Sequence, residues 1–224
     1  MMLQYEQNLQ QTGCALIAGI DEAGRGPLAG PVVVAGVIMP LDDIIEGIND
    51  SKKLSEKKRE KLFEQIMAKA IDVQVAILDN EQIDQLNILN ATKLGMIQCI
   101  NGFSKVDHVL IDAVKLDTPI PTTSIIHGDA LSYSIAAASI VAKVTRDRMM
   151  LDFANQYPQY NFAKHKGYGT KEHIALLKQH GPCPIHRKTF VKNCNARNVV
   201  GCPYGIGKLI HTVMCQTTHY LVMP

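Results

Sequence analysis

Residues 15–27 read ALIAGIDEAGRGP, an apolar run that ends in two adjacent acids and a glycine-rich turn. The apolar part predicts a buried strand that ends at Ile20, so that Asp21 and Glu22 stand at its end. Neighbouring carboxylates at such a place repel each other unless a cation or hydrogen-bond donors compensate them, and a divalent metal is the natural partner. The alternative is a plain polar turn, because Asp-Glu pairs and Gly-x-Gly triplets are both common.

The pattern of apolar residues predicts a chain that alternates between strands and helices. After the first strand, the predicted elements are a strand at 32–39, a helix at 55–70 capped by Ser55, a strand at 71–77, a helical stretch at 81–100, a strand at 109–111 that ends at Asp112, a strand at 124–127, an Ala-rich helix at 135–144 and a helix at 171–180. The first two strands are expected to form a hairpin. This order fits an α/β fold in which a mixed β-sheet is flanked by helices.

Composition and length favour a globular protein with one main domain. The chain has 224 residues, of which 46% are hydrophobic, enough for a substantial core with a small addition. It shows neither a secretory signal nor an apolar stretch of about 20 residues, so we expect a cytoplasmic location without membrane contact. The six cysteines show no Cys-x-x-Cys spacing and are expected to be free thiols. A zinc site from Cys183, His186, Cys194 and Cys202 is the alternative, but these spacings match no common zinc pattern.

The charge of the chain is unevenly distributed. The net charge is only +2, yet residues 143–192 contain ten Lys or Arg against three Asp or Glu. A basic segment opposite an acidic metal site is what binding of a phosphate backbone requires. A solvated helix face would produce the same run of charges.

Four segments together resemble the ribonuclease HII family, the type 2 ribonucleases H. They read DEAGRGPLAGPVVVA at 21–35, DSKKLS at 50–55, GD at 128–129 followed by SIAAASIVAKVTRDR at 134–148, and HKGYGT at 165–170. The resemblance covers about residues 14–190. It implies a ribonuclease-H-like catalytic core at 1–150 and a small helical extension at 151–191, and leaves an atypical tail at 192–224 without a counterpart.

The resemblance also implies a metal centre. Its ligands would be the family's four carboxylates, here Asp21, Glu22, Asp112 and Asp129, holding Mg²⁺ or Mn²⁺ ions. Asp21 would bridge both ions, and Asp129 would be the most loosely coordinated. Taken without the family, an Asp at a strand end often satisfies a turn and an Asp at a helix start is usually a cap.

Selectivity for RNA requires a second feature that senses the 2′-hydroxyl. The resemblance places Gly24, Arg25 and Gly26 against the ribonucleotide and packs Tyr168 on the sugar, whereas a surface tyrosine between two loop glycines is the structural alternative. Phosphate contacts are expected from Lys52, Lys53, Lys143, Arg146 and Lys166. The alternative is that these side chains are solvated surface charges. Leu131 departs from the family, whose members often carry Lys there, and this puts one phosphate contact in doubt.

The sequence therefore predicts a metal-dependent endoribonuclease. It would cut the RNA strand of RNA–DNA hybrids and incise duplex DNA on the 5′ side of embedded ribonucleotides, leaving 3′-hydroxyl and 5′-phosphate ends. Such an activity implies a role in RNA removal and ribonucleotide excision repair, and we expect a monomer. One alternative is a ribonuclease HIII-like enzyme, which usually carries an amino-terminal substrate-binding domain, whereas about 13 residues precede the first strand here. Another is a nucleic-acid-binding module without catalysis, against which the retained carboxylates argue.

Overall fold

The computed structural model describes residues 2–192, and these contain one five-stranded mixed sheet. The strands are β1 Ile17–Ala23, β2 Val32–Ile38, β3 Asp72–Leu78, β4 His108–Asp112 and β5 Thr122–Ile125. Their order across the sheet is β3-β2-β1-β4-β5. β1, β2 and β3 pair antiparallel, whereas β4 lies parallel to β1 and β5 lies parallel to β4. The predicted hairpin and mixed sheet are confirmed.

Helices pack on the sheet and also form most of the chain after the last strand. They are α1 Gln4–Gln11, α2 Glu56–Lys69, α3 Asn80–Leu86, α4 Ile88–Gly102, α5 Gly128–Leu131, α6 Tyr133–Gln156, α7 Phe162–His165, α8 Lys171–His180 and α9 Lys188–Val191. Two 3₁₀ turns lie at Ser51–Lys53 and Pro158–Tyr160. As predicted, Ser55 caps α2, where its hydroxyl accepts from the backbone N–H of Lys58. Among residues 2–192, no helix combines the length and the apolar character that a membrane crossing requires.

The Ala-rich helix α6 lies directly on the sheet. Its buried alanines Ala136, Ala137 and Ala138 pack in the same cluster as residues of β2 and α2. The approach is closest at Gly19 of β1, where a Cβ atom would lie 2.0 Å from the backbone carbon of Ser134. Small residues on both surfaces thus bring the start of α6 close to the strand that carries the two adjacent acids.

The structure corrects several predicted boundaries. β1 continues to Ala23 because its ladder with β2 continues, with Asp21 opposite Ala35. The helical stretch at 81–100 is two helices, separated at Asn87, which has φ 65°. Asn tolerates this conformation, and its side chain accepts from the N–H of Asn90 to begin α4. Asp129 lies in the separate short helix α5 and not at the start of α6.

The segment after α6 folds back onto the loop between β1 and β2. Residues 157–192 contain helices and no strand, and the helix predicted at 171–180 is confirmed as α8. The backbone N–H of Gly30 donates to the carbonyl of Ile185, and that of Arg187 donates to the carbonyl of Leu28. These contacts fix the glycine-rich loop from its far side. Cys14 and Cys99 are free thiols, while Cys194, Cys202 and the tail from residue 193 onward lie outside the described residues.

Candidate active site

Three aspartates from separate elements converge at one edge of the sheet. Asp21 lies near the end of β1, Asp112 is the last residue of β4, and Asp129 lies in α5. Because β1 and β4 are parallel neighbours, with Ile20 opposite Ile111, the first two aspartates follow at the same edge. One carboxylate oxygen from each of the three lies within 4.8 Å of the others. The structure thus brings together three of the four acids expected from the sequence.

Backbone donors hold two of these carboxylates in place. The N–H of Gly128 donates to Oδ1 of Asp112 at 2.7 Å, and the N–H of Glu22 donates to Oδ1 of Asp21 at 2.7 Å. The first bond also ties the loop before α5 to the end of β4. The positions of these side chains are therefore set by the backbone around them.

Glu22 is not one of the three carboxylates that lie within 4.8 Å of one another. Successive side chains of a strand point to opposite faces, so Glu22 cannot share the orientation of Asp21. Its Oε1 atom lies 3.2 Å from Nη1 of Arg25, and its Oε2 atom is buried without a hydrogen-bond partner among the described residues. A buried carboxylate oxygen without a donor is unfavourable, and a cation would satisfy it.

The electrostatics of the site favour a bound cation. Burial, and then the charges of Glu22 and Asp112, raise the pKa of Asp21 well above its ordinary value. Burial also raises the pKa of Glu22, although Arg25 opposes this, and burial raises the pKa of Asp112 against the bond from Gly128. The folded protein therefore disfavours the charged form of these carboxylates as long as no cation is bound. Oxygen ligands crowded in this way suit Mg²⁺ or Mn²⁺.

The glycine-rich loop beside the acids is held from inside by Arg187. Its guanidinium is fully buried and donates to the carbonyls of Gly24, Arg25 and Gly30 at 2.6, 2.9 and 2.9 Å. Gly24 has φ +99°, and a Cβ there would lie 2.1 Å from Nε of Arg146. The positive φ and the tight contact both require glycine. The carbonyls at 24 and 25 are thus turned toward the protein.

The sequence prediction for Arg146 is wrong, because its side chain does not face a ligand. Only 1% of this residue is exposed, and its nitrogens donate to the carbonyls of Pro31, Lys166 and Ala29. A guanidinium has five N–H donors in a fixed fork, which suits it to join several carbonyls from separate loops. Arg146 therefore supports the loops around the site, and its position does not favour the phosphate contact expected from the sequence.

The four lysines expected to contact phosphate occupy different environments. Lys52 is mostly exposed and places Nζ 3.2 Å from Oδ2 of Asp129. Lys143 is half-buried and is already paired with Asp147, 2.6 Å away. The other two are Lys53, which is exposed, and Lys166, which donates to the carbonyl of Ala163. Lys52 is thus the lysine whose position beside the aspartates is defined by a contact.

Tyr168 lies beside the glycine-rich loop. It is 43% exposed, and a Cβ on Gly26 would lie 3.8 Å from Cε1 of its ring. The guanidinium carbon of Arg146 lies 5.8 Å from the ring centroid. An exposed aromatic ring between glycines offers a flat apolar surface next to the loop. The structure therefore brings together the two parts of the expected ribose-sensing surface, although 142 residues separate Gly26 from Tyr168 in sequence.

Sequence reasoning missed Arg187 and the buried histidines around it. The segment at 184–190 reads PIHRKTF and lies at the end of the stretch that resembles the family. His186, Arg187 and Lys188 follow one another here, so no local pattern distinguishes the buried Arg187 from a solvated basic run. Its partners lie about 160 residues earlier in the chain, so only the fold identifies them.

Comparison with known proteins identifies the family of the chain. The family model described as ribonuclease HII matches residues 18–194. The ribonuclease HII of Acetivibrio thermocellus is 58% identical over 194 residues, which cover 86% of this chain and 76% of that protein. The structure of the PCNA:RNase HII complex from Archaeoglobus fulgidus gives a TM-score of 0.70 at 26% identity and covers 82% of this chain and 98% of that one.

A second solved structure gives the same result. The ribonuclease H2 from Pyrococcus horikoshii OT3 has a TM-score of 0.66 at 28% identity, covering 78% of this chain and 93% of that one. The family match and the relatives decide between ribonuclease HII and the HIII-like alternative. The chain belongs to the ribonuclease HII family, whose members are metal-dependent endoribonucleases that act on RNA–DNA hybrids.

Proposed function

We propose that this protein cuts the RNA strand of RNA–DNA hybrids, and also incises duplex DNA on the 5′ side of an embedded ribonucleotide, using two divalent metal ions. The single observation that carries the proposal is the juxtaposition of the aspartate cluster with the loop at 24–26 and the ring of Tyr168. One part supplies phosphodiester chemistry and the other senses the sugar. The products would carry 3′-hydroxyl and 5′-phosphate ends.

Asp21, Glu22, Asp112 and Asp129 would hold the ions. The crowding of the three aspartates within 4.8 Å and the unpartnered buried Oε2 of Glu22 support this ligand set. Two divalent ions, when bound, activate a water and stabilise both the attacking and the leaving oxygen of a phosphodiester. The donor set consists of oxygens alone, which favours Mg²⁺ or Mn²⁺ over softer metals.

The protein's own residues orient the ligands and the substrate. The N–H of Gly128 fixes Asp112, and Lys52 lies where it can neutralise Asp129 or approach a phosphate oxygen. Lys53 and Lys166, whose side chains are at least partly accessible, extend the positive charge available to the backbone of the nucleic acid. The positive charges of these lysines would then attract a phosphate that binds over the aspartates.

Selectivity for RNA would come from the loop at 24–26 and Tyr168. Because Arg187 holds the carbonyls of Gly24 and Arg25 inside, the other edge of this backbone is left for the ribonucleotide. The ring of Tyr168 would pack on the adjoining sugar. Contact with a single ribose is sufficient for this recognition, and this supports incision at one embedded ribonucleotide. We further propose that the protein acts as a monomer in ribonucleotide excision repair.

A cleavage assay tests the proposal. The substrate is an end-labelled duplex with one ribonucleotide, and the controls are an all-DNA duplex and a continuous hybrid. With Mg²⁺ the protein should give one labelled product from the first substrate, a ladder from the hybrid and no product from DNA. Chelation should abolish both reactions. Binding of these duplexes without any cleavage in Mg²⁺ or Mn²⁺ would instead identify a binding module without catalysis.

A further inference from the structure

Three buried histidines lie next to the proposed ribose-sensing surface, and the chemistry of phosphodiester hydrolysis does not use them. His165, His173 and His186 are 7%, 0% and 2% exposed. The rings of His165 and His173 stack at 4.4 Å, and all three surround Phe162. Buried polar rings must have hydrogen-bond partners, so their bonds are informative.

Backbone donors determine the tautomers of two of these rings. The N–H of Gly167 donates to Nδ1 of His165 at 3.2 Å, and the N–H of Cys183 donates to Nδ1 of His186 at 2.9 Å. A neutral imidazole that accepts at Nδ1 carries its proton on Nε2. For His165 this agrees with the carbonyl of Tyr160, which accepts from Nε2 at 2.7 Å. The carbonyl of Cys183 lies farther from Nδ1 of His186, at 3.3 Å.

The tautomer of His173 follows from that of its neighbour. Nε2 of His186 donates to Nε2 of His173, 3.1 Å away, so this second nitrogen must accept. The proton of His173 is therefore on Nδ1, where it donates to the carbonyl of Tyr168 at 2.9 Å. This assignment satisfies all of these bonds except the longer contact between Nδ1 of His186 and the carbonyl of Cys183. The thiol of Cys183, 3.1 Å from the same nitrogen, can donate to it as well. The result is a directed chain from Cys183 through two histidines to Tyr168.

This chain connects backbone segments that support the two halves of the ribose-sensing surface. His186 precedes Arg187, whose guanidinium holds the carbonyls of Gly24 and Arg25. At the other end, the bond from His173 fixes the backbone of Tyr168, whose ring lies beside Gly26. A shift at either histidine would therefore change the distance between ring and loop.

We propose that His173 and His186 are positioning residues that set the ring of Tyr168 against the loop at 24–26, and so determine how well the enzyme recognises a single ribonucleotide. This inference rests on the proposed function, because it assigns ribose recognition to that surface. The residues act through Tyr168 and do not touch the substrate.

The surroundings of the histidines keep them neutral, as the chain requires. Burial lowers the pKa of all three, that of His186 to about 4 with a further contribution from His173. The charged groups that act on the cluster are Glu172 and Lys164, which oppose each other at His165 and form an ion pair at 2.8 Å. If His173 were protonated, its Nε2 would become a donor and would face the Nε2–H donor of His186, so the hydrogen bond between the two rings would be lost.

Two substitutions at His173 separate the hydrogen bond from the packing of the ring. An Asn amide nitrogen occupies the place of Nδ1 and still reaches the carbonyl of Tyr168, whereas Gln extends to the place of Nε2 and leaves that carbonyl without its donor. Both variants remove the imidazole ring. The exposed His180→Gln, in the same helix, is the matched control.

The measured quantity is the ratio of kcat/KM on a duplex with one ribonucleotide to kcat/KM on a continuous hybrid. We expect His173→Gln to lower this ratio about tenfold, while His173→Asn and His180→Gln stay within about twofold of wild type. Equal losses for His173→Asn and His173→Gln, or no loss for either, would overturn the proposal. Melting temperatures of the variants show whether each is folded.

A second measurement needs no variant. In long-range ¹H–¹⁵N spectra of the wild-type protein near neutral pH, His173 should be the Nδ1–H tautomer, and His165 and His186 should be Nε2–H tautomers. An Nε2–H tautomer for His173 would overturn the proposal even if His173→Gln fails to fold. The proposed function fails separately, namely if wild-type protein does not cleave at the embedded ribonucleotide or if Tyr168→Ala leaves the ratio unchanged.

Discussion

Nη1 of Arg187 donates to the backbone carbonyl of Arg25 at 2.9 Å, across 162 positions of the chain. The same guanidinium also bonds the carbonyl of Gly24, so that the segment around Arg187 holds the loop that follows Asp21 and Glu22. This arrangement explains why the segment after α6 belongs to the active site. It gives the loop a fixed backbone without the use of any residue that faces the substrate.

Replacing Arg187 by Lys should therefore weaken both stability and recognition. A lysine has one compact ammonium and cannot replace the fork that reaches Gly24, Arg25 and Gly30. Each carbonyl left without a donor costs about 1–3 kcal/mol, so the free energy of unfolding in urea should fall by that order or more. The exposed Arg148→Lys is the control. Unchanged stability of Arg187→Lys would contradict the role given to its guanidinium.

Tyr168→Ala should separate recognition from chemistry. Removal of the ring should cost stacking worth roughly 1–3 kcal/mol, about ten- to two-hundredfold in kcat/KM on a duplex with one ribonucleotide. The loss should be smaller on a continuous hybrid, and Tyr168→Phe should be mild if packing dominates. Equal losses for Tyr168→Ala on both substrates would assign the tyrosine to a purely structural role.

The fold could be predicted from the sequence because its signals are local. The alternation at 71–77 and the cap at Ser55 are visible within a few residues, and β3 and α2 appear where these signals indicate. The break at Asn87 was missed because it depends on one residue with positive φ inside an apolar periodic stretch. Local patterns thus predict which helices and strands are present more accurately than they predict where each one begins and ends.

The candidate site could likewise be predicted only in part from the sequence. The convergence of Asp21, Asp112 and Asp129 agrees with the strand order and the family resemblance. Arg146 was assigned to phosphate because sequence shows its charge but not its burial among three carbonyls. The partners of Arg187 could not be predicted because they depend on how distant loops pack. Sequence therefore indicates the chemistry, and tertiary structure shows what holds it.

Stability should depend on pH through the buried histidines. Because burial lowers the pKa of His186 from 6.5 to about 4, the unfolded chain binds a proton in this range that the folded protein excludes. The free energy of unfolding should thus fall as pH falls below about 6.5, by up to about 1.4 kcal/mol per unit from this histidine. Urea titrations of wild type and His186→Gln measure the difference. The same pH slope in both proteins would contradict the assignment.

Metal binding should relieve repulsion among the carboxylates. Asp21→Asn removes one charge from the cluster, so it should raise the melting temperature in a chelator while reducing the further rise that Mg²⁺ produces. Wild type should show the opposite pattern, namely a lower melting temperature in chelator and a larger rise. The exposed Asp42→Asn is the matched control. An undiminished response of Asp21→Asn to Mg²⁺ would contradict its place among the ligands.

The most direct test of the central claim is cleavage of an end-labelled duplex with one ribonucleotide by wild type, Asp112→Asn and the exposed control Asp117→Asn in saturating Mg²⁺. An Asn at 112 keeps the shape of the side chain and loses the charge, so the fold should persist. We expect one product from wild type and Asp117→Asn, and a rate lower by at least about a hundredfold for Asp112→Asn. Full activity of Asp112→Asn would contradict the metal-dependent mechanism proposed for this site.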